Sequence, residues 1–343
     1  MENHQQTVTN ANQLYFPKAH EVDIRAISIS DPNAHEVQIE TLYSGISKGT
    51  ESLVFGGLVP KCQQTKMKCP NQIGEFTFPV AYGYSTVGKI VKLGNKVSDL
   101  SIGEHVFCMH PHQSHFNINE HQCTKIPNHV DTKRAVLTPN LETALNAFWD
   151  ANISGQEEVA VIGAGAVGLL TAYTVSKLSN ANVVVVDINP KKREIASALN
   201  LPFLDATKDK LGKYHTIFHT SARQSGLQTA IDHCSFEGTV VEMSWYGNHP
   251  VSINLGGAFH SRRLKIISSQ VSHVAPKMRA STNNAQRLAK VIEMLVDKKL
   301  DVLLKETFSL DNSQKLYSSI VDHSSDTLCA VIDYKKNNNK EHI

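Results

Sequence analysis

Residues 159–168 read V-A-V-I-G-A-G-A-V-G, an apolar run that breaks directly into glycines spaced G-x-G-x-x-G. A second apolar run, Val183 to Val186, ends on Asp187, 19 positions beyond Gly168. Strand, glycine turn, helix, strand and acid in this order predict a dinucleotide-binding unit. Gly163 permits the tight turn out of the strand, Gly165 lets backbone approach a pyrophosphate, and Gly168 lets the helix pack on the strand. Ala164, Ala166 and Val167 complete the cofactor-binding set, with the helix N-terminal amides facing the anion. Asp187 accepts hydrogen bonds from the adenine-ribose hydroxyls and repels a 2′-phosphate, so the expected cofactor is NAD. The basic run Lys191, Lys192, Arg193 argues the other way. It begins four residues later, on the next helix, and reads as a solvated face.

The remaining composition excludes several function classes. The chain has 343 residues, a net charge of +2 and 17 histidines, with no basic block longer than KKR or the tail KKNNNK. No nucleic-acid partner is expected. No apolar stretch approaches the roughly 18 residues of a membrane span, and the N-terminus MENHQQTVTNANQ lacks a signal-peptide core, so a cytoplasmic location is expected. The six cysteines form no C-x-x-C pair and are expected as free thiols.

Outward from the glycine turn, the chain divides into unlike parts. From about Val22 to Asn128, short alternating runs punctuated by Gly and Pro predict antiparallel strands of a barrel-like domain. From Asp131 to Ala151 the apolar spacing is helical. Beyond the turn, strands and helices alternate in the rhythm of a doubly wound parallel sheet. A helix over 284–299 and the strands ETFSL and LCAVIDY return to the first domain, and the polar tail from Lys335 is expected to be unstructured. The domains are therefore placed at 1–140, completed by 272–343, and at 141–271.

This organisation resembles the medium-chain dehydrogenase/reductase superfamily, over essentially the whole chain. Tyr43 to Glu51, YSGISKGTE, is similar to that superfamily's Y-S-G-I-C-G-T-D loop, and Gly83 to Gly88, GYSTVG, to its G-H-E-x-x-G. Gly103 to Val106, GEHV, stands where the family writes G-D-R-V. The segments SGISKGTESLVFGG, YGYSTVG, HPHQ and FHSRRL…SSQVSHV resemble a zinc-lacking branch that includes bacteriochlorophyllide a dehydrogenase. The resemblance implies an α/β protein with a GroES-like β-barrel catalytic domain and a Rossmann NAD-binding domain. It also implies hydride transfer between a secondary alcohol and nicotinamide, and a homodimer joined along the strand Leu264 to Gln270. An enoyl or quinone reductase, or a dinucleotide-binding protein without turnover, are the alternatives.

The departures from the family are as informative as the matches. Positions that carry zinc in related enzymes hold Ser47, Tyr84 and, by approximate alignment, Pro139, which are not a zinc ligand set. The lobe of four cysteines that binds a second zinc is missing as well. Cys108, His110, His112, His115, His121 and Cys123 crowd into 16 residues, but their spacing fits no metal template, and no metal is expected. Without a Lewis acid, hydrogen-bond donors must polarise the carbonyl. The expected catalytic set is Thr50, Tyr84, His110 and His112, with Lys48 and Glu51 next. Either histidine titrates near neutrality and suits a proton shuttle. Thr143, Ser244 and Trp245 are expected beside the nicotinamide, with a structural role as the alternative for Thr143. Arg262 and Arg263 are further candidates for holding a carboxylate or the cofactor phosphate.

Overall fold

The computed structural model describes residues 8–321 and 326–339. They form two compact units, one made of the described residues within 1–138, 292–296 and 304–343, the other of residues 139–291 and 297–303.

The first unit begins with an antiparallel pair, β1 (Thr9–Tyr15), which precedes the stretch expected to form strands, and β2 (Asp23–Ile29), at the start of that stretch. It continues through β3 (Glu36–Ile46), α1 (Lys48–Phe55), β4 (Ile73–Gly74), β5 (Val80–Ala81), β6 (Thr86–Leu93), β7 (His105–Cys108), β8 (His115–Asn119) and β9 (Cys123–Lys125). The central strand β3 pairs antiparallel with β6 on one side and with β8 over its N-terminal half. Val37, Ile39, Ile90, Val106, Phe116 and Ile118 interlock beneath these strands as the barrel core. Residues in β3 alternate faces, but both faces are covered, so the strand is buried along most of its length.

The second unit opens with α2 (Thr138–Ala151) and runs β10 (Glu158–Ile162), α3 (Ala166–Leu178), β11 (Asn182–Asp187), α4 (Lys192–Ala198), β12 (Phe203–Asp205), β13 (Tyr214–His219), α5 (Gln224–His233), β14 (Cys234–Glu242), β15 (Lys265–Ser268) and α6 (Asn284–Met294). The sheet is parallel throughout, in the order β12-β11-β10-β13-β14-β15. Runs such as Val183–Val186 are continuously apolar because helices cover both faces of such a sheet. Strand order reverses between β10 and β13, which makes the carboxyl ends of those two strands the ligand crevice. The doubly wound unit and the barrel unit are thus the expected α/β architecture.

Most of α6 groups with the second unit, whereas the sequence reading returned everything after residue 271 to the first. The reason is one buried side chain. Arg287 is 2% exposed; its guanidinium bonds Glu142 at 2.9 Å, Asn146 at 2.5 Å and the Val271 carbonyl at 2.5 Å, tying α6 to α2. The chain then returns through β16 (Thr307–Phe308), α7 (Ser313–Val321) and β17 (Ala330–Asp333), with β17 pairing antiparallel to β3. Residues 334–339 form a 3-10 helix rather than an unstructured tail, and residues 340–343 lie outside the described residues. No helix among the described residues is long and apolar enough to cross a membrane.

Candidate active site

The glycine turn of the second unit is built as its sequence requires. Gly163 has φ +110°, and a Cβ there would press on Thr220 Oγ1 and the Ser221 backbone at 2.8–3.0 Å. A Cβ on Gly168 would lie 1.9 Å from the Gly163 carbonyl, so only glycine lets α3 pack this closely. A Cβ on Gly165 would meet nothing within 4 Å, so the approach to the amides of Ala166, Val167 and Gly168 stays open. The Asp187 carboxylate closes the cradle, accepting from the Ala164 N–H at 2.6 Å and the Asn189 N–H at 2.8 Å. This donor set fits the diphosphate and ribose of a dinucleotide.

A polar network lies beside that turn, at the ends of β13 and β14. His219 and Glu242 are register partners, and His219 Nδ1 bonds Glu242 Oε2 at 2.8 Å. His219 Nε2 bonds Ser221 Oγ at 2.7 Å. Glu242 also accepts from the Ser244 N–H at 2.7 Å and the Tyr246 hydroxyl at 3.1 Å. Burial pushes its carboxyl up, but it is held below the usual carboxylate range, with the hydrogen bonds from His219 and Ser244 lowering it. Ser244 is part of this group, and Trp245 is half-buried next to it in the chain. Thr143 lies within α2 and spends its hydroxyl on the Pro139 carbonyl, at 2.9 Å. Arg262 holds the carbonyls of Asp232 and Cys234, at 2.8 and 3.0 Å, and Arg263 pairs with Glu237 at 2.9 Å.

The first unit holds a second network around a carboxylate. Glu51, on the first turn of α1, has a side chain only 1% exposed. Its Oε1 accepts from the Ser47 N–H at 2.8 Å. Its Oε2 accepts from His112 Nε2 at 2.9 Å and from the Tyr317 hydroxyl at 2.5 Å. His112 Nδ1 bonds Ser44 Oγ at 2.7 Å, and Ser44 Oγ meets the Tyr334 hydroxyl at 3.2 Å. One proton arrangement satisfies every atom: Tyr334 donates to Ser44, Ser44 to His112 Nδ1, and His112 Nε2–H and Tyr317 donate to the carboxylate. Gly83 makes room for the imidazole, since a Cβ there would sit 2.8 Å from His112 Cδ2 and Nε2.

Tyr84 joins this group through the side chains of Ser47 and Thr50, both hydrogen-bonded to its phenol. Burial, followed by the Glu51 charge, raises the phenol's pKa despite those bonds. Lys48 is half-buried at the first position of α1. His110 lies elsewhere. It is 6% exposed, stacks on Phe116 with ring centroids 3.8 Å apart and bonds the Pro111 carbonyl with Nδ1 at 2.9 Å. Burial lowers its pKa to about 4, so the ring is neutral near pH 7.

The donors around Glu51 do not fit a metal ion. Both His112 nitrogens are engaged, and the nearby Cys69 thiol bonds the Gly83 carbonyl while burial raises its pKa to about 12. The Cys108 to Cys123 segment is likewise dispersed. His110 faces Phe116, His112 faces Glu51, and Cys108 and Cys123 meet each other at 3.6 Å, with the Cys123 thiol also 3.9 Å from the Asn119 carbonyl. Among the described residues, no three His, Cys, Asp or Glu side chains converge as a metal site would require. Sequence reading had singled out five members of the first-unit set, Ser47, Thr50, Glu51, Tyr84 and His112; Ser44 lay in a quoted loop without a role, and Tyr317 and Tyr334 carried no local motif, and neither did His219, Ser221 and Glu242 in the second unit.

No protein-family model matches the chain. It is similar to D-guloside 3-dehydrogenase of Escherichia coli, 26% identical over 265 residues, covering 69% of this chain and 74% of the relative. Among solved structures, L-idonate 5-dehydrogenase from Escherichia coli superposes with TM-score 0.78 at 13% identity, covering 96% of this chain and 99% of that one. An alcohol dehydrogenase from Escherichia coli CFT073, solved with NADH, superposes with TM-score 0.74 at 18% identity, covering 95% and 99%. These structures share the fold.

The Glu51 network yields a stability prediction. Tyr317→Phe keeps the ring between Phe16 and Phe55 but removes one donor from a buried carboxylate. The expected loss is about 1.5–3 kcal/mol of unfolding free energy, read as a lower urea midpoint. An unchanged midpoint would show that the carboxylate does not depend on this bond.

Proposed function

We propose that the protein interconverts a secondary alcohol of a sugar- or polyol-type substrate and its ketone, with NAD as redox partner and no metal in the chemistry. Bound in the Gly163 to Gly168 cradle, the dinucleotide supplies the hydride acceptor. The observation that carries the reading is the group of three hydroxyls, Ser47, Thr50 and Tyr84, gathered beside Glu51, whose carboxylate accepts from the Ser47 N–H. The names of the similar proteins, dehydrogenases of a guloside and of idonate, support the substrate class.

The chain's own groups provide the proton path. Thr50 is hydrogen-bonded to Tyr84, and in this scheme it is the donor, which leaves its oxygen a lone pair to accept the substrate O–H. As the carbinol carbon gives up hydride, the substrate proton passes to Thr50, the Thr50 proton to Tyr84, and the Tyr84 proton to solvent. The raised phenol pKa keeps Tyr84 protonated at neutral pH, so in ketone reduction it enters as an acid. Glu51 and His112 do not touch substrate in this scheme; they hold Ser47 and fix the start of α1. His110 is assigned to packing.

Two predictions follow from these roles. Wild-type protein is expected to bind NADH more tightly than NADPH by fluorescence titration. Asp187→Ser should narrow that preference by about 1–3 kcal/mol and weaken NADH binding, since the carboxylate also fixes the Ala164 amide. Tighter NADPH binding by the wild type would overturn the cofactor assignment. In a screen of polyols and sugar acids followed at 340 nm, Tyr84→Phe and Thr50→Val should each lower turnover about 100-fold with NADH affinity unchanged. Near-wild-type turnover in both would remove these residues from the proton path.

A further inference from the structure

The second unit contains a hydroxyl–imidazole–carboxylate chain that the redox scheme above does not use: Ser221, His219 and Glu242. One arrangement of its protons, with the imidazole neutral, satisfies every atom. Glu242 collects hydrogen bonds from His219 Nδ1, the Ser244 N–H and the Tyr246 hydroxyl, at 2.8, 2.7 and 3.1 Å, as an ionised carboxylate does. In that arrangement His219 carries its proton on Nδ1, and its Nε2 is an acceptor. The Ser221 hydroxyl, 2.7 Å from that nitrogen, must point its proton inward. Turned outward are oxygen lone pairs, one of which takes a long bond of 3.3 Å from the Arg223 N–H.

We infer that Ser221 is an acceptor built for a ligand hydroxyl, and that the ligand group is the ribose on the nicotinamide side of the bound dinucleotide. Three observations select it. Ser221 stands over the glycine turn, its amide 2.9 Å from where a Gly163 Cβ would lie, so whatever occupies the cradle passes this residue. It is reached from the carboxyl end of β13, across the switch point from Asp187 at the end of β11. The adenine-side ribose belongs to Asp187, and the next hydroxyl-bearing group along the ligand is the second ribose. Finally, an oxygen that offers only lone pairs, backed by the Glu242 carboxylate, repels a phosphate oxygen and accepts a hydroxyl. The phosphates go instead to the amides of α3.

The surrounding sequence maintains this arrangement. A Cβ on Gly226 would fall 2.3 Å from Ser221 Oγ and 2.9 Å from His219 Nε2, so glycine in the first turn of α5 leaves the hydroxyl its place. Ala222 takes φ +51° to turn the chain immediately after it, and its N–H is held by Ser244 Oγ at 3.1 Å. His219 and Glu242 act on the ligand only through Ser221 and are positioning residues.

This inference rests on the dinucleotide reading, and a ligand series separates the two. ADP carries only the adenine-side ribose, ADP-ribose carries both, and NADH carries both plus nicotinamide. By calorimetry, Ser221→Ala should leave ADP affinity within about twofold and weaken ADP-ribose and NADH about tenfold, the effect of one lost hydrogen bond. His219→Gln should show the same pattern, and the double variant should be no weaker than either single one. Equal weakening of ADP, or no weakening of ADP-ribose, would overturn the assignment of Ser221. Failure of the wild-type protein to bind NADH at all would overturn the dinucleotide reading itself.

Discussion

A carboxylate removed from water sets the constraint on which the first unit depends. Glu51 is enclosed, and among the described residues its carboxylate oxygens are held by hydrogen bonds from Ser47, His112 and Tyr317. Isolated burial of such a group costs many kcal/mol, and nature avoids it unless donors converge. Here the donors come from distant parts of the chain. The Ser47 amide is local, His112 arrives from the segment between β7 and β8, and Tyr317 arrives on α7 near the C-terminus. The barrel closes around this point because each donor must be delivered to it.

In the proposed reaction the same carboxylate organises the groups that act in place of a metal. A histidine whose two nitrogens bond Glu51 and Ser44 has no lone pair to offer an ion. What the arrangement offers a substrate is a rigid set of hydroxyls, with Ser47 and Thr50 fixed at the start of α1 and Tyr84 held against them. Electrostatic preorganisation of this sort polarises a carbonyl without a Lewis acid, provided the donors are locked before substrate arrives. The second unit repeats the theme with Glu242, His219 and Ser221, where a satisfied carboxylate again fixes the tautomer of an imidazole and hence the direction of a hydroxyl.

The fold was legible in the sequence where a motif is local. The turn at Gly163 to Gly168, the acid at Asp187 and the apolar strands between them belong to one continuous βαβ segment, so spacing alone specifies them. The first-unit site was only partly legible. Glu51, Tyr84 and Thr50 sit in recognisable loops, and His112 was drawn from a histidine-rich run. Its neighbour His110, two positions away, looked equivalent in sequence, yet the chain leaves the extended conformation after β7 ends at Cys108, and His110 stacks on Phe116 rather than reaching Glu51. Tyr317 lies 266 residues from Glu51, and nothing in the helix around it announces a buried hydroxyl. The domain boundary was misplaced for the same reason: Arg287 reaches α2 across 145 residues, and only the folded chain shows that α6 is tied there.

The claim on which the chemistry turns is that proton transfer runs through hydroxyl groups and not through a bound metal. Zinc content and turnover measured on one preparation test it most directly, before and after exhaustive treatment with a chelator. The account predicts zinc far below one ion per chain, with NAD-dependent oxidation of the identified alcohol unchanged by chelation. About one zinc per chain, with activity lost on its removal and restored on its return, would contradict it.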